Sequence, residues 1–223
     1  MAFRIFIADD HEVVRKGLMA LLQAQPDWEV VGEAADGREA VDKAQQLKPD
    51  VVILDIGMPS LNGLEATRQI LKNNPQAKVL ILTLHDSDQV VREVLNAGAR
   101  GFLLKSDAAR DLVAAVEALR RDKTYFTSKV ASMVLEGYLK GGTQQAPAAI
   151  GRNRLTPRER EIVQLLAEGK STKEVAVALG LSVKTAETHR SNIMRKLQLH
   201  SVSDLVLYAV RNNIVHVVQA GLE

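Results

Sequence analysis

The chain contains no cysteine, and this absence excludes three kinds of chemistry. Disulfide bonds, cysteine zinc fingers and thiol catalysis all need a residue type that the sequence lacks. Long hydrophobic runs are missing too, since no segment reaches the roughly 20 apolar residues that a membrane-spanning helix requires. The amino-terminal apolar run is broken by Arg4 and ends in Asp9 and Asp10, unlike a secretory signal. We therefore expect a cytoplasmic protein with no membrane partner.

The residues that are present fit a globular protein with one large domain or two ordinary ones. Of the 223 residues, 46% are hydrophobic and 25% are charged. The net charge of +2 hides an asymmetry: the chain through residue 140 carries 18 Lys and Arg against 20 Asp and Glu, and the remainder carries 11 against 7. This basic excess suits a polyanionic partner, and a solvated basic face explains it equally well.

The first part of the chain alternates short apolar runs with amphipathic helical segments. The apolar runs, which predict β-strands, lie at residues 3–8, 28–32, 51–55, 78–83 and 101–104. The helical segments lie at residues 11–24, 38–47, 64–72, 88–97 and 108–120. Five repeats of strand and helix predict an α/β fold, a doubly wound five-stranded parallel sheet with right-handed crossovers. Such a sheet has its ligand cleft at the carboxyl ends of the strands.

Polar residues collect at those predicted strand ends. Asp9 and Asp10 follow the first strand, Asp55 ends the third, Thr83 ends the fourth and Lys105 follows the fifth. Three carboxylates in one cleft repel each other unless a cation is present, and their hard oxygen ligands suit Mg²⁺. The lysine and the threonine would then offer a cation and a hydroxyl to phosphoryl oxygens. Each residue alone could be only a strand terminus, but five at successive strand ends favour a site.

The segments IADDH, LDIGMP, ILTLH and RGFLLK, in this order, resemble the receiver domain of bacterial two-component response regulators over residues 1–121. The resemblance implies a flavodoxin-like fold and a histidine kinase as partner. It implies that Asp55 is the phosphoacceptor. It also implies a Mg²⁺ site in which Asp10 and Asp55 are ligands, Asp9 supports them and the backbone carbonyl of Gly57 contributes.

Three further positions take roles from the same resemblance. Lys105 would pair with the phosphoryl group, and Thr83 would form a hydrogen bond with it. Phe102 would be an aromatic switch residue, although an ordinary core phenylalanine is an equally good interpretation. His85 borders the site two residues after the threonine, and an exposed loop histidine is the simpler interpretation of it.

A connecting segment at residues 122–150 follows the receiver. Within it, residues 129–140 have the pattern of an amphipathic helix, which could pack on either domain or on a copy of itself. Residues 141–149, which read GGTQQAPAA, predict a flexible linker. We therefore expect a receiver at 1–121, a connector at 122–150 and a second domain at 151–223.

The second domain is predicted to be small and entirely helical. Thr156, Pro157 and Glu159 are typical of a helix start, with an N-cap, a first-turn proline and a capping-box glutamate. Further helices are predicted at 172–179, 183–197 and 202–211. The tight turn at Gly180, between the second and third of the four, is typical of a helix-turn-helix unit. Shape alone leaves both DNA and protein as possible partners.

The run LTPREREIVQLLAEGKSTKEVAVALGLSVKTAETHRSNIMRKL resembles the DNA-binding domain of LuxR-type regulators over about residues 150–215. Joined to a receiver, it is similar to the NarL/FixJ class of response regulators. The resemblance implies that the third helix lies in the major groove of double-stranded DNA. Its outward residues would be Lys184, Glu187, Thr188, Ser191 and Arg195.

The residue types on this helix suggest how each would contact DNA. Glu187 could accept a hydrogen bond from a cytosine amino group, the Thr188 methyl could touch thymine, and Ser191 could reach either kind of base edge. Glu187 could instead pair with a neighbouring cation along the helix. Phosphate contacts, which position the protein without specifying sequence, are expected from Lys170, Ser171, Thr172, Lys173, Lys184 and Arg190. Thr172 stands where asparagine is usual, and we expect its phosphate contact to survive.

These features predict a transcription regulator rather than an enzyme. Phosphorylation of Asp55 would change both dimerisation and the exposure of the DNA-binding domain. The alternative is a constitutive DNA-binding regulator whose receiver acts only as a dimerisation scaffold. A phosphatase that works through Asp55 is a weaker hypothesis, because no second acid stands out apart from the metal pair.

Overall fold

The computed structural model describes residues 2–84, 87–126, 130 and 155–215. They belong to two compact units, in residues 1–142 and 143–223. His85, the predicted linker and all of the predicted connecting helix except Val130 lie outside the described residues. Val130 is buried in the core of the first unit. Among the described helices, none has the length and apolar character needed to cross a bilayer.

The described part of the first unit is a parallel sheet covered by helices. Its strands are β1 (Phe3–Ala8), β2 (Trp28–Ala34), β3 (Val51–Asp55), β4 (Lys78–Thr83) and β5 (Gly101–Leu104). They pair in the order β2-β1-β3-β4-β5. The helices are α1 (Glu12–Gln23), α2 (Gly37–Leu47), α3 (Gly63–Asn73), α4 (Asp88–Ala97) and α5 (Ala108–Arg120).

The central strand β3 shows why the sheet needs helices on both faces. All five of its residues are buried. Val52 and Leu54 pack in a cluster with residues of α2, α3 and α4, whereas Val51 and Ile53 pack with residues of α1 and α5. Successive side chains of a strand point to opposite faces, so a continuous apolar run requires two hydrophobic layers.

The described part of the second unit consists of four short helices around one core. They are α6 (Pro157–Ala167), α7 (Thr172–Leu179), α8 (Val183–Leu197) and α9 (Val202–Arg211). Ile162, Val175, Ile193 and Leu205 supply one core residue from each helix. Gly180 ends α7 in the left-handed conformation, with a φ of 63°. A glycine adopts this conformation without steric cost, which permits the tight turn into α8.

The structure confirms the predicted fold class and the main elements. Each predicted strand and helix within the described residues is present, and β2 extends two residues beyond the predicted end, to Ala34. Thr156 caps α6 in a capping box with Glu159, as the residue pattern predicts. Ser171 forms the same arrangement with Glu174 at the start of α7. These caps satisfy backbone N–H groups that have no partner within the helix.

Candidate functional site

The acidic residues singled out from the sequence lie at the carboxyl edge of the sheet. In this sheet β1 pairs with β2 on one side and with β3 on the other, so the strand order reverses at β1. This reversal of strand order opens a ligand crevice in an α/β sheet. Asp9 and Asp10 directly follow β1, and Asp55 is the last residue of β3. Strand pairing therefore brings carboxylates from two distant chain segments to one pocket.

Lys105 joins this pocket from the edge strand. It begins a short 3-10 turn directly after β5. Its Nζ lies 2.7 Å from Asp9 Oδ2 and 2.9 Å from Asp55 Oδ2. The side chains of Lys105, Asp9 and Asp55 are 9%, 0% and 7% exposed. One ammonium group thus bridges two buried carboxylates and leaves the pocket with net negative charge.

His11 is a further member of the pocket to which the sequence analysis assigned no role. Its Nδ1 lies 2.7 Å from Asp10 Oδ1 and 3.2 Å from Asp9 Oδ1. Its backbone N–H donates a hydrogen bond of 2.9 Å to Asp9 Oδ1. The only available signal was its place directly after the paired aspartates in IADDH.

The balance of charges in the pocket shifts the pKa values of two of its members. Burial raises the pKa of the Asp55 carboxyl above its usual value, and Asp9 acts in the same direction. Lys105 and the backbone N–H of Gly57, which donates to the carboxyl, offset this only in part. Burial disfavours the Lys105 ammonium, but Asp55 and Asp9 outweigh it and raise the pKa of the lysine. The pocket therefore favours added positive charge.

The donor set fits a hard divalent cation such as Mg²⁺. Oxygen and nitrogen atoms from Asp9, Asp10, His11 and Asp55 lie within 4.8 Å of one another. Asp9 Oδ2 and Asp10 Oδ1 are enclosed, and neither accepts a hydrogen bond of good geometry from the described residues. Lys105 Nζ lies 2.7 Å from Asp9 Oδ2 and His11 Nδ1 lies 2.7 Å from Asp10 Oδ1, and each contact leaves lone pairs of the oxygen available. Carboxylate oxygens are the ligands that Mg²⁺ prefers.

The remaining predicted receiver residues border the pocket or the core behind it. Thr83 ends β4, pairs in register with Leu104 and is buried. Phe102 lies in β5 and is a buried member of the main core cluster. Gly57 follows β3 by two residues and is half-buried. The sheet therefore brings Thr83 to the same edge as Asp55, and it gives Phe102 the surroundings of a core residue.

Two contacts that the sequence analysis missed support the acidic residues. Arg15, on α1, donates a hydrogen bond of 2.7 Å to the backbone carbonyl of Asp9 and one of 3.0 Å to the Glu33 carboxylate. Gly63 starts α3 so close to β3 that an added Cβ would lie 2.0 Å from the Asp55 carbonyl oxygen. Each contact crosses the turn between a strand end and the helix near it, so residue spacing along a single element does not reveal it.

The helix α8 presents a polar face of the type that a DNA-reading helix needs. Its exposed residues include all those predicted: Lys184, Glu187, Thr188, Ser191 and Arg195. Ala186 and Ile193 are buried and anchor the opposite face. The Thr188 hydroxyl donates to the Lys184 carbonyl at 2.9 Å, so its hydrogen-bonding proton is used within the helix. No described residue forms an ion pair with Glu187, and Arg190 has a different partner.

The predicted phosphate-contacting residues gather around the start of α7. Lys170, Ser171 and Lys173 are exposed there. Arg190 reaches across from α8, and its Nη1 donates a hydrogen bond of 3.2 Å to the Thr172 hydroxyl. The Ser171 hydroxyl oxygen accepts from the Glu174 N–H in the cap. A helix amino terminus surrounded by cations suits an anion.

Comparison with known proteins identifies both parts of the chain. Residues 5–117 match the family model of the response regulator receiver domain. Residues 153–209 match that of bacterial regulatory proteins of the luxR family. The transcriptional regulatory protein LiaR of Bacillus subtilis is 41% identical over 213 residues, which cover 96% of this chain and 99% of LiaR.

Solved structures of the response regulator RcsB resemble the whole chain. RcsB of Salmonella enterica serovar Typhimurium, bound to the promoter P1flhDC in the presence of the phosphomimetic BeF₃⁻, is 29% identical with a TM-score of 0.58. The match covers 93% of this chain and 98% of RcsB. A structure of two RcsB dimers bound to two parallel DNAs is 26% identical with a TM-score of 0.57, and covers 95% and 99% of the two chains.

These matches follow the order of the two units along the chain, and LiaR aligns over nearly its full length. The acidic pocket belongs to the part that matches the receiver, and the exposed face of α8 to the part that matches the luxR family. The chain therefore belongs to the NarL/FixJ class of two-component response regulators, DNA-binding transcription regulators that combine a receiver domain with a LuxR-type helix-turn-helix domain.

Proposed function

We propose that Asp55 accepts a phosphoryl group from a histidine kinase and that the resulting acyl phosphate controls DNA binding. The observation that carries this proposal is the Lys105 ammonium, 2.9 Å from the Asp55 carboxylate in a buried pocket. An Asp55 oxygen attacks phosphorus, the bond to the donor nitrogen breaks, and a mixed anhydride forms. Phosphoryl transfer depends mainly on positioning and charge neutralisation, which this lysine provides.

Mg²⁺ is the cofactor that we propose for this reaction. Asp10, Asp55 and the Gly57 carbonyl would hold the ion, with Asp9 supporting it. When bound, the ion supplies positive charge to the phosphoryl oxygens. Lys105 neutralises the remaining charge and keeps the Asp55 oxygen oriented. Because Asp9 Oδ2 and Asp10 Oδ1 accept no well-formed hydrogen bond from the described residues, ion binding at these two atoms breaks none.

Thr83 and Phe102 are the proposed relay from the phosphoryl group. The threonine hydroxyl lies at the neighbouring strand end and would donate a hydrogen bond to a phosphoryl oxygen. The phosphoryl group carries about two negative charges, enough to draw a hydroxyl into a new position. The phenylalanine is packed in the core, so its movement would alter the surface around α4.

The proposed output is double-stranded DNA, bound by a dimer. RcsB, a relative of this chain, has been solved as two dimers bound to two parallel DNAs. A separate structure shows RcsB bound to promoter DNA in the presence of a phosphomimetic. In this chain α8 would enter the major groove, with Glu187, Thr188 and Ser191 at base edges. The phosphate contacts would come from the following residues: Lys170, Ser171, Thr172, Lys173, Lys184 and Arg190.

The test compares the parent with Asp55→Asn before and after treatment with Mg²⁺ and a small phosphoryl donor. We expect the donor to add one phosphoryl mass to the parent, to raise its DNA affinity and to promote dimerisation. The variant should show none of these responses. Asp42→Asn is the matched control, because Asp42 is exposed and lies on α2 away from the pocket. It should respond as the parent does.

The alternative, a constitutive DNA-binding regulator with the receiver as a dimerisation scaffold, makes the opposite prediction. The donor would then change neither the mass nor the DNA affinity of the parent, of Asp55→Asn or of Asp42→Asn. The buried cluster of Asp9, Asp55 and Lys105 argues against this alternative, because a scaffold gains little from two carboxylates held out of water.

A further inference from the structure

The pocket at the carboxyl edge contains a ligand that Mg²⁺ does not need. His11 Nδ1 lies 2.7 Å from Asp10 Oδ1, beside the oxygens of Asp9 and Asp55. The four side chains offer three oxygens and one nitrogen within 4.8 Å of one another. Among the described residues, no other group of three or more acidic, histidine or cysteine side chains is arranged closely enough to hold a metal ion.

The imidazole nitrogen of His11 allows the pocket to bind one metal in preference to another. Mg²⁺ is a hard ion that takes oxygen ligands, so an imidazole adds little to its binding. Zn²⁺ binds both imidazole nitrogen and carboxylate oxygen, commonly with four ligands. The four ligand atoms from Asp9, Asp10, His11 and Asp55 supply that number and that chemistry.

The local structure permits these side chains to close around an ion. Zinc–ligand bonds are about 2.0–2.2 Å long, so the ligand atoms of a tetrahedral site stand roughly 3.4 Å apart. Atom pairs near the 4.8 Å limit must therefore close by roughly 1 Å, and His11 Nδ1, which lies 2.7 Å from Asp10 Oδ1, must move away from that oxygen. His11 is about half exposed, and Asp10 is also partly exposed, so both can move at little packing cost. Asp9 is fully buried, and its Oδ2 accepts no well-formed hydrogen bond from the described residues. The Lys105 ammonium lies 2.7 Å from this oxygen and also contacts Asp55.

We propose that His11, with Asp9, Asp10 and Asp55, forms a zinc-binding site that overlaps the pocket of the phosphoacceptor. His11 is the residue that gives the site its preference for Zn²⁺ over Mg²⁺. An ion bound in this way uses an Asp55 oxygen as a ligand. If Asp55 is the phosphoacceptor, as proposed above, bound Zn²⁺ competes with phosphoryl transfer and keeps the receiver in its unphosphorylated form.

The test measures metal binding directly on the full chain, with no phosphoryl donor. Zn²⁺ affinity is obtained by competition with a chromophoric chelator, and Mg²⁺ affinity by calorimetry. We expect His11→Phe to weaken Zn²⁺ binding by about tenfold or more, as loss of a ligand does. Its Mg²⁺ affinity should stay within about twofold of the parent value, because the oxygen ligands are intact. The retained Mg²⁺ binding also shows that the pocket is folded.

Two further variants separate coordination from other effects. His11→Gln keeps a hydrogen-bonding group for Asp10 but removes the imidazole, and it should lose Zn²⁺ affinity as His11→Phe does. His200→Phe removes an exposed histidine of the second unit and should leave both affinities unchanged. Co²⁺, used as an optical probe, should show visible bands with the parent that both His11 variants alter.

The proposal is overturned if His11→Gln binds Zn²⁺ as tightly as the parent, since His11 would then act only through hydrogen bonding. The proposal is also overturned if His11→Phe lowers the Zn²⁺ and Mg²⁺ affinities by the same factor. Because these readouts need no phosphorylation, they stand apart from the Asp55→Asn test. In a separate experiment with Mg²⁺ present, added Zn²⁺ should inhibit phosphoryl incorporation into the parent more strongly than into His11→Phe.

Discussion

At the scale of single residues, the close approach of α3 to β3 depends on one glycine. The Gly63 N–H donates to the Ile56 carbonyl at 3.0 Å. A Cβ at this position would lie 2.0 Å from the Asp55 carbonyl oxygen, well inside van der Waals contact. The Asn62 side chain accepts from the Glu65 N–H and fixes the start of the helix next to this contact. Backbone packing thus holds the strand end that carries the proposed phosphoacceptor.

We therefore expect Gly63→Ala to destabilise the receiver by about 1–3 kcal/mol or more, because the methyl group forces α3 and β3 apart. Gly17→Ala is the matched control. Gly17 lies within α1 with nothing within 4 Å of an added Cβ, so alanine should stabilise by about 0.5–1 kcal/mol. Urea unfolding, followed by the fluorescence of the single tryptophan Trp28, measures the free energy of unfolding of both variants. Equal effects of the two substitutions would contradict the packing argument.

At the scale of elements, local patterns predicted the helices and strands because the decisive interactions are local. The Thr156 and Glu159 capping box lies within four consecutive residues. The apolar run of β3 is four consecutive residues that end at Asp55, so it can be recognised from its own sequence. The position of the carboxylates at the strand ends could be predicted once the strands were assigned. The sequence did not predict the contact of Arg15 with Asp9 or that of Arg190 with Thr172. Each contact depends on how a helix packs against another part of the chain.

The cap of α8 supports a prediction of its own. The Ser182 hydroxyl oxygen accepts from the Thr185 N–H at 3.1 Å and lies 2.8 Å from the Thr185 hydroxyl. Ser182→Ala leaves that N–H without its cap and should destabilise the second unit by about 1 kcal/mol. Ser182→Asp should restore stability, since aspartate is an equally good cap. Thermal unfolding by far-UV circular dichroism compares the three proteins, and failure of the aspartate to restore stability would refute a capping role.

The proposed DNA contacts predict two distinct kinds of loss. Lys173→Gln should weaken binding to all sequences alike and reduce the slope of log affinity against log salt by about 1, as loss of one phosphate contact does. Glu187→Ala should leave the slope unchanged and cost about 1–3 kcal/mol only on sites with the preferred base. Titrations of a selected operator and of its single-base variants at several salt concentrations distinguish these outcomes. A uniform loss for Glu187→Ala would refute base reading by this residue.

At the scale of the whole molecule, each unit has hydrophobic clusters of its own. The two clusters on either side of the sheet contain residues of the first unit, and the third cluster contains residues of α6 to α9 with their flanks. Each unit therefore has the hydrophobic burial that a separate cooperative transition requires. Trp28 lies in β2, so its fluorescence follows the first unit, whereas circular dichroism follows helices in both.

Ile193→Ala tests this independence. Ile193 is fully buried in the core of the second unit, and its truncation should cost about 2–5 kcal/mol there. We expect the substitution to lower the midpoint of the transition that only circular dichroism detects and to leave the Trp28 fluorescence midpoint unchanged. Ile53→Ala, in the core of the first unit, should do the reverse. If either substitution shifts both midpoints by the same amount, the units unfold together, and an interface between them must contribute several kcal/mol to the stability of each.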